Sequence, residues 1–198
     1  MLSIDIQRML TDIFCPDAFI RTNVHPLGFN YVDIREKSPE ATCKLLKVVG
    51  LEKGHVALCL DVSDIFSYYF NVHNDHINKS CDAVIFYYNN EKLYVMLFEL
   101  KSRRDHSACQ QLLNSKFFVD YIMDMARHYY DIKDIVVEYR FFIAKKMPAR
   151  KRPLNNSISH RRFGFDGYMA TVVPCSDNLN VKEFINYVEL WTESTAWA

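Results

Sequence analysis

The sequence predicts an α/β sandwich built on a mixed β-sheet, and two observations carry that reading. Two apolar runs of strand length, residues 83–88 and 93–98, are separated only by a polar turn at Asn89-Asn90-Glu91. That pattern is an antiparallel hairpin. A long helical stripe over about residues 107–130 then stands between the hairpin and a third apolar run, 135–144. A helix between two strands is a crossover, which lays the new strand parallel to the old one.

Each element follows in turn. Residues about 3–14 read as an amphipathic helix, with Ile4, Ile6, Met9, Leu10 and Ile13 as its apolar set. Pro16 and Gly28 mark a loop region. Ser38-Pro39-Glu40 is a helix-start signal, because Ser caps, Pro fits the first turn and Glu suits the positive helix end. That helix is expected to run to about Val49 and stop at Gly50. Residues 56–62 are β-branched and apolar, a strand. From Asp64 to Lys79 the pattern is ambiguous: a short helix is one reading of its front half, and 71–80 reads as a polar loop. The hairpin strands are apolar on both faces, so they belong deep in a covered sheet. In the long helix Ala108, Leu112, Val119, Ile122, Ala126 and Tyr129 form the stripe. Residues 145–165 are a basic loop, 168–173 a strand, and 181 to about 193 a final helix. One domain over 1–198 accommodates all of this, with helices flanking the sheet.

Composition sets the limits. Hydrophobic residues make up 49% and charged residues 24%, as in an ordinary globular chain. Lys plus Arg and Asp plus Glu both number 24, so a nucleic-acid surface has to be local rather than global. Six cysteines are scattered without a C-x-x-C pair and read as free thiols packed as small hydrophobes. Met1-Leu2-Ser3-Ile4-Asp5 has neither the basic start nor the apolar run of a signal peptide. No run reaches the roughly 18 apolar residues of a membrane span. The expectation is a protein of the reducing cytoplasm with no membrane partner.

The chemistry concentrates at one end of the hairpin. Glu99 and Lys101 alternate onto the face that carries Val95 and Leu97, so an apolar strand ends in a carboxylate and an ammonium. Asp82 opens the partner strand, and antiparallel pairing sets it beside Glu99. Two adjacent carboxylates repel unless a cation lies between them. Oxygen ligation by one or two carboxylates, completed by water and phosphate, suits Mg²⁺.

Asp82, a hairpin, Glu99-Leu100-Lys101 and a following helix with Gln110-Gln111 resemble the PD-(D/E)xK nuclease superfamily, the group with the restriction endonuclease-like fold. The element order from about 38 to 144, with the final strand and helix, matches that family's core. The resemblance implies that Asp82 and Glu99 bind Mg²⁺ or Mn²⁺ and that Lys101 orients or activates water and stabilises the charge developing on phosphorus. It implies a site-facing Gln on the helix, with Gln111 favoured slightly over Gln110. It also offers Glu40, on the expected first helix, as a further metal ligand. Cys81 stands where the family's motif has Pro.

Between Glu138 and Asp166 there is no acid, while Arg140, Lys145, Lys146, Arg150, Lys151, Arg152, His160, Arg161 and Arg162 all fall there. Phosphate contacts from such residues dominate nucleic-acid affinity. Arg103 and Arg104, with His106, form a smaller cluster just after Lys101. His73 and His76, near Asp75, match no zinc spacing and read as loop residues. The expected function is a metal-dependent endonuclease acting on DNA rather than RNA, in restriction, repair or antiviral defence. An oligomer or a partner protein would supply targeting. The competing reading is a catalytically silent binding or assembly module on the same fold.

Overall fold

The computed structural model describes residues 2–52, 54–60, 77, 79–101, 106–130, 132, 135–146, 161–165, 167–175 and 178–185. Helix α1 (Leu2–Ile13) is followed by three strands, β1 (Thr22–Val24), β2 (Asn30–Arg35) and β3 (Leu45–Leu51). Then come β4 (Val56–Cys59), β5 (Ala83–Asn89), β6 (Lys92–Lys101), helix α2 (His106–Tyr129) and β7 (Val136–Lys145). The described chain ends with β8 (Arg161–Phe165), β9 (Tyr168–Pro174), β10 (Asn178–Asn180) and a helical turn over 181–185.

The strands form two mixed sheets. One has the order β1-β2-β3-β10 and the other β4-β5-β6-β7-β9-β8. In the six-stranded sheet β5 and β6 are the expected antiparallel hairpin, and β6, β7 and β9 run parallel. Asn90 and Glu91 both take positive φ, 48° and 64°, between the last paired residues Asn89 and Lys92. That is the two-residue turn whose twist matches a hairpin.

Alternation along the strands divides the core in two. Val84, Phe86, Val95, Leu97 and Ile143 face α1 and α2, where they meet Ile6, Leu10, Leu112 and Val119. Ile85, Tyr94, Met96, Phe98 and Phe142 face the other way, onto Val32, Ile34, Leu46 and Val48 of the small sheet. Phe142 stacks on Phe98 at 4.9 Å and meets Phe184 edge-on at 5.1 Å, which seats the 181–185 turn on this second face. The β6 strand is buried from Leu93 to Leu100 because both its faces are covered.

Several expectations change. The helix expected from Ser38 to Val49 is a turn followed by β3, since the alternating burial of Leu46, Val48 and Leu51 against the large sheet outweighs a capping signal at Ser38. The loop region after Pro16 contains β1 and β2. A small sheet therefore covers the face where a helix was expected. The strand at 56–62 ends at Cys59 within the described residues. The end of the 145–165 loop is strand β8, paired antiparallel with β9. Tyr129, assigned to the buried stripe of α2, is 71% exposed, whereas Ser115 occupies a stripe position at 0%. Most of 64–79, and the final helix beyond 185, lie outside the described residues. Among the described residues no helix is long and apolar enough to cross a membrane.

Candidate active site at the end of the hairpin

The β5–β6 register pairs Ala83 with Phe98, so Asp82 comes opposite Glu99 one step further out. Both continue the face of Val84, Val95 and Leu97, towards α2. Asp82 is 6% exposed, and its Oδ2 accepts a hydrogen bond from the Leu100 amide at 2.5 Å. Glu99 is 1% exposed and its Oε1 is ion-paired with Lys101 Nζ. The other oxygen, Glu99 Oε2, is buried without a hydrogen-bond partner.

Helix α2 fastens this corner. Lys101 Nζ donates to Gln111 Oε1 at 2.6 Å, and Gln111 Nε2 donates to the Ser80 carbonyl at 2.9 Å. Ser115 Oγ accepts from the Cys81 amide at 2.8 Å and donates to the Gln111 carbonyl at 2.9 Å. Asn114 Nδ2 reaches the Lys79 carbonyl at 2.9 Å. One helix face thus ties residues 79–81 down immediately before Asp82. Gln111 is the glutamine that touches Lys101, while Gln110 Nε2 donates to Asn114 Oδ1 at 3.0 Å.

Burial pushes the Glu99 carboxyl well above the ordinary carboxylate range, and the negative charge of Asp82 pushes it further. Lys101 opposes both, and Glu36 adds a smaller upward push. Sequence reasoning missed Glu36, since nothing marked the region after Asp33-Ile34-Arg35 as leading to the site. It also missed Ser115, although a Ser between Leu112 and Val119 on an apolar stripe was a legible signal of a buried hydrogen bond.

Glu40 is exposed, in a turn rather than on a helix, so the reason for offering it as a first-helix ligand is gone. The β6–β7 register sets Lys145 beside Lys101, partly buried, and Lys146 is exposed. Arg161 and Arg162 lie on β8, the edge strand of the large sheet. Arg103, Arg104, Arg150, Lys151, Arg152, His73, His76 and His160 lie outside the described residues.

The donor set suits a hard cation. Glu99 and Asp82 offer only oxygen, and the buried Glu99 Oε2 is an acceptor that a cation would satisfy. Among the described residues no group of three or more His, Cys, Asp or Glu side chains could hold a metal ion. Two carboxylates completed by water and phosphate are nonetheless a usual Mg²⁺ arrangement. Comparison with family models, with curated proteins and with solved structures gives no match.

Proposed function

We propose that this chain is a metal-dependent nuclease that hydrolyses phosphodiester bonds, with a fold of the restriction endonuclease-like type. The observation that carries the reading is Glu99: a fully buried carboxylate with one oxygen on Lys101 and the other unpartnered, next to a second acid. Such a group is costly unless it serves a cation. Further support comes from the run hairpin, α2 and parallel β7, which agrees with the core expected for this superfamily.

Asp82 and Glu99 would hold Mg²⁺ or Mn²⁺, which supplies Lewis acidity towards phosphate oxygens and a more acidic water. Lys101 has a fixed direction, since Glu99 and Gln111 grip its ammonium from two sides. It places positive charge where the transition state gains negative charge. Gln111 keeps that ammonium from swinging to solvent, and Ser80 fixes Gln111 in turn. The β6–β7 register brings Lys145, and with it the start of the basic segment, next to Lys101. This favours a long polyanion over a small phosphate ester, and DNA is the first substrate to test. Restriction, repair and antiviral defence are the settings proposed.

The test is a cleavage screen with Mg²⁺ and Mn²⁺ against duplex DNA, single strands and RNA. Metal-dependent cleavage stopped by EDTA and lost in Asp82→Asn supports the reading. No cleavage of any substrate, or equal cleavage by Asp82→Asn, refutes it and leaves a silent binding module as the better account.

A further inference from the structure

The outer face of the small sheet carries rings and cations that the packing of the fold does not use. Val32, Ile34, Leu46 and Val48 point inward onto the large sheet. Alternation turns Tyr31, Asp33 and Arg35 of β2, and Lys47 and Val49 of β3, the other way. The register sets Asn23 of β1 beside Tyr31, and Asn178 of β10 beside Lys47. Helices α1 and α2 pack on the far side of the large sheet, so neither covers this face.

The rings touch one another in a row. Phe29 stacks on His25 at 4.3 Å, His25 meets Tyr31 edge-on at 6.4 Å, and Lys47 Nζ stands 4.1 Å over the Tyr31 ring. A closed turn holds the stack. The Gly28 amide donates to the His25 carbonyl at 2.8 Å, and the His25 amide donates to the Phe29 carbonyl at 2.8 Å. The Leu27 amide donates to His25 Nδ1 at 3.2 Å, which fixes the imidazole. All three rings are half-buried, and the same turn leaves Val24 68% and Leu27 81% exposed. The charges on this face lean positive. Asp33 is offset by Arg35, at 3.6 Å, while Lys47 makes no ion pair among the described residues. Arg21, one residue before β1, is exposed.

We propose that this face binds a single nucleic-acid strand, with Phe29, His25 and Tyr31 stacking on unpaired bases and Lys47, Arg35 and Arg21 taking the phosphates. An open sheet face that carries aromatic residues stacks about two or three bases of a single strand. Each base has a π-face, so this contact needs no particular sequence. A duplex keeps its bases inside the stack and offers the rings nothing. Positive charge beside the rings suits a polyanionic backbone, whereas an apolar protein partner gains nothing from Lys47. The hydrogen-bonded turn has little freedom left to lose on binding. Asp82 and Glu99 face α2, on the other side of the large sheet, so this is a second surface and its occupancy does not depend on cleavage.

The experiment measures binding of fluorescent oligothymidine and oligouridine to the full chain by anisotropy, in EDTA so that no strand is cut. Strands of about 20 residues span a site of roughly 4–16 nucleotides. Phe29→Leu and Tyr31→Leu keep an apolar side chain and remove the stacking ring; each should weaken binding roughly tenfold. Lys47→Gln should lower the slope of log Kd against log salt by about 0.7, the share of one single-strand phosphate contact. Ultraviolet cross-linking of a bromouracil strand to the native chain, mapped by mass spectrometry, should mark Phe29 or Tyr31. Binding of either strand through these residues supports the proposal, and the tighter one names the sugar. A native chain that binds neither strand overturns it, as do native affinity in both Leu variants and cross-links confined to other segments. Equal affinity for a blunt duplex, weakened by the same variants, overturns the assignment to unpaired bases. Self-association of the native chain that Phe29→Leu abolishes makes a second copy the occupant and overturns the proposal too. A chain that binds single strands here yet cleaves nothing in Mg²⁺ refutes the nuclease reading and supports this surface.

Discussion

Replacing Glu99 with Gln should stabilise the metal-free protein near pH 8 and abolish its response to Mg²⁺. Burial first, and the charge of Asp82 second, hold the Glu99 carboxyl well above its unfolded value, against the pull of Lys101. For an acid raised in this way the folded state binds more protons than the unfolded one. The cost to stability is therefore absent below the unfolded pKa. It grows by about 1.4 kcal/mol per pH unit up to the folded pKa and is fully present above it. Gln removes that cost while its amide oxygen can still accept from Lys101, at some loss of charge-assisted strength. The net gain near pH 8 is expected to be about 1–2 kcal/mol, or roughly 3–6 °C in the thermal midpoint for a chain of this size. As the pH falls the advantage shrinks, because the native Glu99 takes up its proton and loses the cost that Gln removes. Mg²⁺ at about 100 times its Kd should add about 2.7 kcal/mol to the native protein and nothing to Glu99→Gln. Calorimetric unfolding at pH 8 and at lower pH, with and without Mg²⁺, measures all four quantities. A variant less stable than the native chain at pH 8, together with a native midpoint indifferent to Mg²⁺, would refute the reasoning.

Three further changes probe the support of the site. Ser115→Ala leaves the Cys81 amide, and the corner that holds Asp82, without their buried partner; a loss of about 1–3 kcal/mol in denaturant unfolding is expected. Gln111→Ala frees Lys101 on one side; kcat should fall by roughly tenfold with the thermal midpoint nearly unchanged, because position 111 is only partly buried. Glu91→Gly relieves a side chain held at φ 64° in the hairpin turn; a gain of about 1 kcal/mol in urea unfolding is expected, with cleavage unaffected.

What the sequence made legible was the local part of the fold. The hairpin and β7 declare themselves as unbroken apolar runs of strand length and α2 as a long helical stripe, and the turn needs only Asn90 and its neighbour. A site-facing Gln could be expected because Gln110 and Gln111 both sit on the helix that follows Lys101; the contact with Lys101 falls to Gln111. The region before β4 was misread for the opposite reason. Ser38-Pro39-Glu40 has the local chemistry of a helix start, but Leu46, Val48 and Leu51 are fixed as a strand by a sheet packed against them, which no local pattern reveals. The same packing hides Glu36, whose influence on Glu99 depends on how β2 and β3 pair and lie against the large sheet.

The measurement that bears most directly on the central claim is single-turnover cleavage of DNA in Mg²⁺ by the native chain and by Lys101→Met, alongside Mn²⁺ binding to both. Lys101→Met should still bind Mn²⁺ through Asp82 and Glu99 while cleaving at least about a hundredfold more slowly, the scale seen when a charge-stabilising group is removed. Cleavage by Lys101→Met at the native rate, or a native chain that takes up no Mn²⁺, would contradict the account.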